Sequence, residues 1–149
     1  MLTPEMKNSL NESVLCWLST IGADGYPNCS PKEIFTFVED AHIVVADIAS
    51  PVSRQNVLDN PLVCVSFVHV LKQKGFKVKG VAHYIEPSDS EFADLFVLLE
   101  PMVGDVFPVR GLFNISVTQI QPIIAPGYFI IPGTTEASQI EKAKQVYGV

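Results

Sequence analysis

The sequence predicts a mostly β fold, an antiparallel barrel with a few short helices covering its ends. Three observations carry that prediction. Short apolar runs alternate with turn signals along almost the whole chain. Helical patterns are few, and the connections between most runs are too short to hold the crossover helix that each parallel pair needs. The glycine patterns of nucleotide-binding helices are missing, so a doubly wound parallel sheet fits worse than an antiparallel barrel.

The elements follow in order. TPEMKNSL at 3–10 predicts a short opening helix, with Thr3 as N-cap, Pro4 at the first helical position and Glu5 in the first turn. VLCWLST at 14–20 reads as a strand, and ADG at 23–25 is a strong hairpin turn. The next strand, 27–38, contains Pro31, which cannot donate to a ladder and therefore marks an edge, a bulge or an interruption. HIVVAD at 42–47 is a third strand, Leu62 to Val68 a fourth, and 76–85 a fifth after the turn KQKG. SDSEFADLFVLL at 88–99 predicts a helix with Ser88 and Glu91 as a capping box and Pro101 as its stop. A last long strand at 111–124 and a terminal helix at 136–147 complete the chain.

Composition narrows the function classes. Hydrophobic residues make up 48% of the 149 and charged residues 17%, against roughly 25% charged in an average soluble domain, so part of the apolar surface is expected to meet another chain. A formal charge of -6 argues against nucleic acid or an anionic membrane as the main partner. Cys16, Cys29 and Cys64 have no metal-ligand spacing and read as free thiols of a reducing compartment. No signal-peptide pattern and no membrane-length apolar run is present, so a cytoplasmic location is the expectation.

The stretch ASPVSRQNVLDNP, 49–61, predicts one short helix between two strands. Ser50 suits the N-cap, Pro51 the first helical position, and Asn60-Pro61 the end. The free amides of its first turn, the hydroxyl of Ser53 and the forked donors of Arg54 make a plausible phosphate receptor; a surface cap helix is the other reading. In FKVKGVAHY, Lys77, Lys79, Val81 and His83 share one face, and Gly80 allows close approach of a ring or a backbone. Two same-face lysines form a phosphate clamp or a solvated face, and Lys32 extends the positive rim. His42, His69 and His83 are scattered, without metal spacing. Trp17 reads as a core or dimer contact, and Tyr128 and Phe129 as covers of a pocket mouth.

Taken in order, GADGYPNCSP (22–31), HIVVAD (42–47), SPVSRQNVLDNPLVCVSF (50–67) and KVKGVAHYI (77–85) resemble the pyridoxamine 5'-phosphate oxidase-like split-barrel flavoproteins over residues 10–123. The resemblance extends to the small bacterial FMN-binding proteins that are little more than the barrel. It implies a six-stranded antiparallel split β-barrel, a single domain over 1–149 with 125–149 as a C-terminal tail and helix. It also implies a homodimer with two FMN sites at the subunit interface. In such a site Cys29, Ser30, Pro31 and Lys32 lie along the isoalloxazine ring, and Ala46 and Asp47 border the ribityl chain or ring. Ser53 and Arg54, with Gln55, hold the phosphate, and Lys79 supplies another phosphate or ring contact. No residue is implied as a nucleophile.

Two departures bear on function. Many members carry lysine or arginine where Ser53 stands, and the full oxidases have a longer, basic C-terminal segment for the vitamer phosphate. The expected function is therefore an FMN-dependent oxidoreductase taking electrons from a nicotinamide or another small donor. The alternatives are an FMN electron carrier without a substrate pocket, and a cofactor-free or heme-handling interaction barrel.

Overall fold

The computed structural model describes residues 1–149 and contains one seven-stranded antiparallel sheet and five helices. The strands are β1 (Cys16–Ile21), β2 (Pro27–Lys32), β3 (Phe35–Val38), β4 (His42–Asp47), β5 (Leu62–His69), β6 (Lys74–Ile85) and β7 (Gly111–Ile124). The helices are α1 (Pro4–Glu12), α2 (Pro51–Asp59), α3 (Phe92–Val103), α4 (Gly127–Ile130) and α5 (Glu136–Tyr147). No helix is long and apolar enough to cross a membrane.

The strand expected at 27–38 is two strands, and the break decides the architecture. In the sheet order β2-β1-β5-β6-β7-β4-β3, the consecutive strands β2 and β3 lie at opposite edges. Only Glu33 and Ile34 join them, so the sheet has to curl until its edges approach each other. The edges do not pair, and the barrel is split. Ala46 N–H donates to the Ile34 carbonyl at 2.9 Å and so carries the β3–β4 ladder one residue back into this link.

Pro31 is not at the break but within β2, opposite Trp17. Gly22 N–H donates to Tyr26 C=O at 2.9 Å, which sets the phase of the β1–β2 ladder. By alternation, Asn28, Ser30 and Lys32 turn their backbone groups toward β1, whereas Pro27, Cys29 and Pro31 turn theirs outward. The edge thus presents carbonyls at three residues and an N–H only at Cys29. Proline at two of three outward positions also blunts the edge against strand addition.

The barrel interior holds Leu18, Val65, Phe67, Val78, Tyr84, Phe113 and Ile115, and Met6 and Leu10 of α1 plug one end. A second cluster, Val44, Ala46, Ile85 and Leu112, packs under Leu99 and Val103 of α3. That double covering explains why β4 is buried on both faces and reads as a continuous apolar run. Thr3 caps α1 through Met6 N–H at 3.3 Å, as its position predicts.

Helix α3 differs from expectation. It starts at Phe92, four residues after Ser88, because Asp89 accepts from Glu86 N–H at 2.7 Å and holds 86–91 as a turn. It also runs through Pro101 to Val103; near the end of a helix a missing N–H costs one bond, and burial of Val103 outweighs it. Gly80 serves a close approach of backbone, not of a ligand ring: a Cβ there would lie 2.5 Å from Ser116 O, at the β6–β7 bulge. Tyr128 covers no pocket at the cleft described below; its hydroxyl donates to Lys72 O at 2.8 Å and pins the tail to the β5–β6 turn.

Candidate functional site

The split leaves a cleft of about 300 Å³ between the free edge of β2 and the end of β4. Ser30, Pro31 and Lys32 form one wall, Ala46, Ile48, Ala49 and Ser50 the other, Glu33 and Ile34 the floor of the link, and Phe107 the rim. The volume lies at the lower end of the range of ligand sites, roughly 300–1,000 Å³.

Lys32 is the cation of this cleft. It is only 8% exposed, and its ammonium donates to the hydroxyl of Ser50. Burial holds its pKa below the ordinary lysine value, while the carboxylate of Asp47 pulls it back up. Burial in turn pushes the Cys16 thiol up to about 12, so this neighbour stays a neutral thiol.

Ser50 is the N-cap of α2 and Pro51 its first residue, as expected, but the Ser50 side chain makes no cap bond to the helix and its hydroxyl accepts from Lys32. Its backbone still starts the helix: Arg54 N–H donates to Ser50 C=O at 2.9 Å, and Ser50 N–H donates to Asp47 Oδ1 at 2.9 Å. The amides of Val52 and Ser53 lie in the first turn, where no helical carbonyl reaches them. The lysine head bonds Ser50, the residue that caps the turn carrying these donors.

Asp47 lies behind the wall. Its second oxygen accepts from Tyr84 Oη at 2.8 Å, and burial, reinforced by this bond, raises the Tyr84 pKa to about 12. Arg54 packs its guanidinium 5.9 Å from the centre of the Tyr84 ring, and so faces the Asp47–Tyr84 pair. Ser53 is 2% exposed and accepts from Asn28 Nδ2 at 3.4 Å.

Of the ten residues singled out from sequence, Ser30, Pro31, Lys32 and Ala46 line the cleft, with Asp47 directly behind and Ser53 in the adjoining first turn. Gln55 bonds Asp59 at 3.1 Å on the exposed side of α2. Cys29 and Lys79 point to the outer face of the sheet. There the register aligns Cys29, Ser19, Cys64, Lys79 and Gln119 in one row across five strands. Cys29 Sγ accepts from Ser19 Oγ at 3.4 Å. Sequence reasoning missed Glu33, Ile34, Ile48, Ala49 and Phe107 as lining residues. Glu33, Ile48 and Ala49 adjoin named positions and Ile34 lies one residue further on, whereas nothing local to Phe107 marks it.

A second concavity of about 710 Å³ lies on the outer face and is lined by Val14, Leu15, Trp17, His69, Val70 and Tyr147 among others. His69 Nδ1 accepts from Lys72 N–H at 3.1 Å. The three histidines lie on separate strands, with His42 against Asn114 and His83 beside Glu91.

The family model described as pyridoxamine 5'-phosphate oxidase matches residues 2–123. The chain belongs to the pyridoxamine 5'-phosphate oxidase family of split-barrel flavoproteins. Solved structures agree on the fold. HupZ of Group A Streptococcus superimposes with a TM-score of 0.68 at 23% identity, over 80% of this chain and 92% of that one. A putative pyridoxamine 5'-phosphate oxidase of Lactobacillus delbrueckii gives 0.67 at 22% identity, over 80% and 93%. An FMN-binding protein of Syntrophomonas wolfei gives 0.67 at 13% identity, over 80% and 84%. No curated protein matches in sequence. For a member of the pyridoxamine 5'-phosphate oxidase family, the split between β2 and β4 is the part of the fold that this chain fills with Lys32, Ile34, Ile48 and Phe107.

Proposed function

We propose that this chain binds FMN in the β2–β4 cleft and acts as a flavin-dependent oxidoreductase, as a homodimer in the cytoplasm. The observation that carries the reading is the buried ammonium of Lys32 at the start of α2, beside the outward backbone of β2. The donor set suits a flavin mononucleotide. Lys32 and the amides of Val52 and Ser53 suit the phosphate. The outward N–H of Cys29 and carbonyls of Cys29 and Pro31 suit a ring that carries both acceptors and an N–H. The apolar side chains of Ile34, Ala46 and Ile48 suit its faces.

FMN bound there supplies hydride or single-electron chemistry; the protein positions it and sets its electrostatics. Lys32 balances negative charge in a poorly solvated cleft. Ile34, Ile48 and Phe107 keep water from the ring. No side chain of the cleft is needed as a nucleophile, and the electron donor would be a nicotinamide or another small molecule. The side chains of Lys79 and Cys29 face outward, so they reach a cofactor only if a second copy brings its cleft to this face. The dimer is therefore part of the proposal.

The test is the absorbance spectrum of freshly purified protein, with identification of the released cofactor and turnover with NAD(P)H under air. Flavin bands, released FMN and turnover are the expected results. Flavin bands without reduction favour the electron carrier, and a colourless protein that takes up no FMN overturns the reading.

A further inference from the structure

We infer that Phe107 is a ring-positioning residue of the cleft, an aromatic cover carried on the α3–β7 loop; this rests on the flavin reading above. Phe107 is the only aromatic side chain that lines the cleft. It is also 55% exposed, so it stands at the mouth with its ring area unspent on the core. Hydrophobic side chains of this size are normally packed, and its position at a cavity rim gives the free face something to cover.

The loop is placed for that task from both ends. On the α3 side, Leu99 and Val103 are anchored in the second core cluster, and Gly104, at φ 60, turns the chain out of the helix. On the β7 side, Arg110 ties to the cleft wall twice: its N–H donates to Asp47 O at 2.7 Å and its Nε donates to Ile48 O at 3.0 Å. Residues 107–110 have no regular structure between these ties. The loop that carries the ring is thus tied to Ile48, itself a wall of the cleft, next to the irregular stretch that holds Phe107. The rest of the apolar lining is non-aromatic, Pro31, Ile34, Ala46 and Ile48, so Phe107 is the one aromatic face that the cleft offers a planar ligand. Aromatic rings prefer offset or edge contacts with one another, which a side chain at a rim can adopt without displacing the core.

The experiment compares wild type, F107A and F107W by titration with FMN and with lumiflavin, which carries the ring but no phosphate. F107A is expected to weaken both ligands by roughly tenfold, because only the ring contact is lost. Its thermal unfolding without ligand should match wild type, since the side chain is not in the core. F107W is expected to retain affinity and to have the emission of the introduced indole quenched on FMN binding. Equal FMN affinities for wild type and F107A, or unquenched indole at 107 with FMN bound, overturn the role of Phe107 and leave the flavin reading standing. A wild type that binds neither ligand overturns both.

Discussion

The ammonium of Lys32, on edge strand β2, donates to the hydroxyl of Ser50, the residue that precedes helix α2. One bond therefore ties the two sides of the split at the point where the helix leaves its first amides unpaired. Here the charge comes from the facing strand, and Ser53 is a buried partner of Asn28. Lys32→Met is expected to weaken FMN binding at least tenfold, the size of a charge-assisted contact. Riboflavin, which lacks the phosphate, should lose little. Equal losses for the two ligands in a calorimetric titration would show that Lys32 acts on the ring instead.

The same lysine makes a pH prediction. Burial lowers its pKa in the folded protein below the unfolded value of 10.5. In the window between the two values the folded state has already released the proton that the unfolded chain still holds. Its contribution to stability therefore rises with pH across that window. Phosphate affinity runs the other way, because the neutral amine no longer attracts the anion. FMN affinity measured across the alkaline range should fall, and should stay flat in Lys32→Met.

Tyr84 and Asp47 form the buried pair behind the cleft. Tyr84→Phe removes the only side-chain donor to a carboxylate that is 1% exposed, at an expected cost of about 1–3 kcal/mol in urea unfolding. The raised pKa of Tyr84, about 12 against 10.0, means that the folded state keeps a proton the unfolded chain loses. Stability should therefore fall as pH rises from 10.0 toward 12. Tyrosinate absorbance should show one late titration among the four tyrosines, absent from the variant.

Much of this fold is legible locally. Strand β7 and helix α5 have the bounds that their patterns predict, because periodicity and capping act within a few residues. The cleft is legible only in part. Pro31 signals an edge through a missing N–H, and Lys32 follows it directly in the chain. What local pattern does not carry is the jump from one sheet edge to the other at Glu33–Ile34. That jump depends on closure of the whole sheet, and it decides which residues face each other. Phe107 reaches the cleft through the tie of Arg110 to the end of β4, a contact between segments far apart in sequence. The place of Arg54 on the helix is legible locally, whereas the ring of Tyr84, brought up by β6 to 5.9 Å from its guanidinium, is not.

A structural prediction tests the sheet itself. A Cβ on Gly75 would lie 1.9 Å from Phe67 O on the paired strand β5. Backbone on a central pair cannot yield by a small rotamer change, so Gly75→Ala should destabilise the protein by about 1–3 kcal/mol or more. Gly25→Ala sits in open space but at φ 81, and its penalty should be confined to turn strain of roughly 1–2 kcal/mol. Chemical denaturation of the two variants separates a packing clash from a dihedral cost, and a larger loss for Gly25→Ala would contradict the register.

The outer face gives the last prediction. Trp17 is 44% exposed and shares that face with Leu15 and with the row that contains Cys29 and Lys79. Leu62 and Val81 continue the apolar surface across β5 and β6. Burying such a face between two copies removes apolar area from water at about 25 cal/mol per Å², and two-fold symmetry uses the same patch on both copies. Light scattering at micromolar concentration should therefore report a dimer. Trp17→Asp, which places a charge in the middle of the patch, should yield a monomer. Because Lys79 lies on this face and not in the cleft of its own chain, the monomeric variant should also bind FMN more weakly. Wild type that scatters as a monomer, or Trp17→Asp that dissociates with unchanged FMN affinity, would separate the cofactor site from the subunit interface.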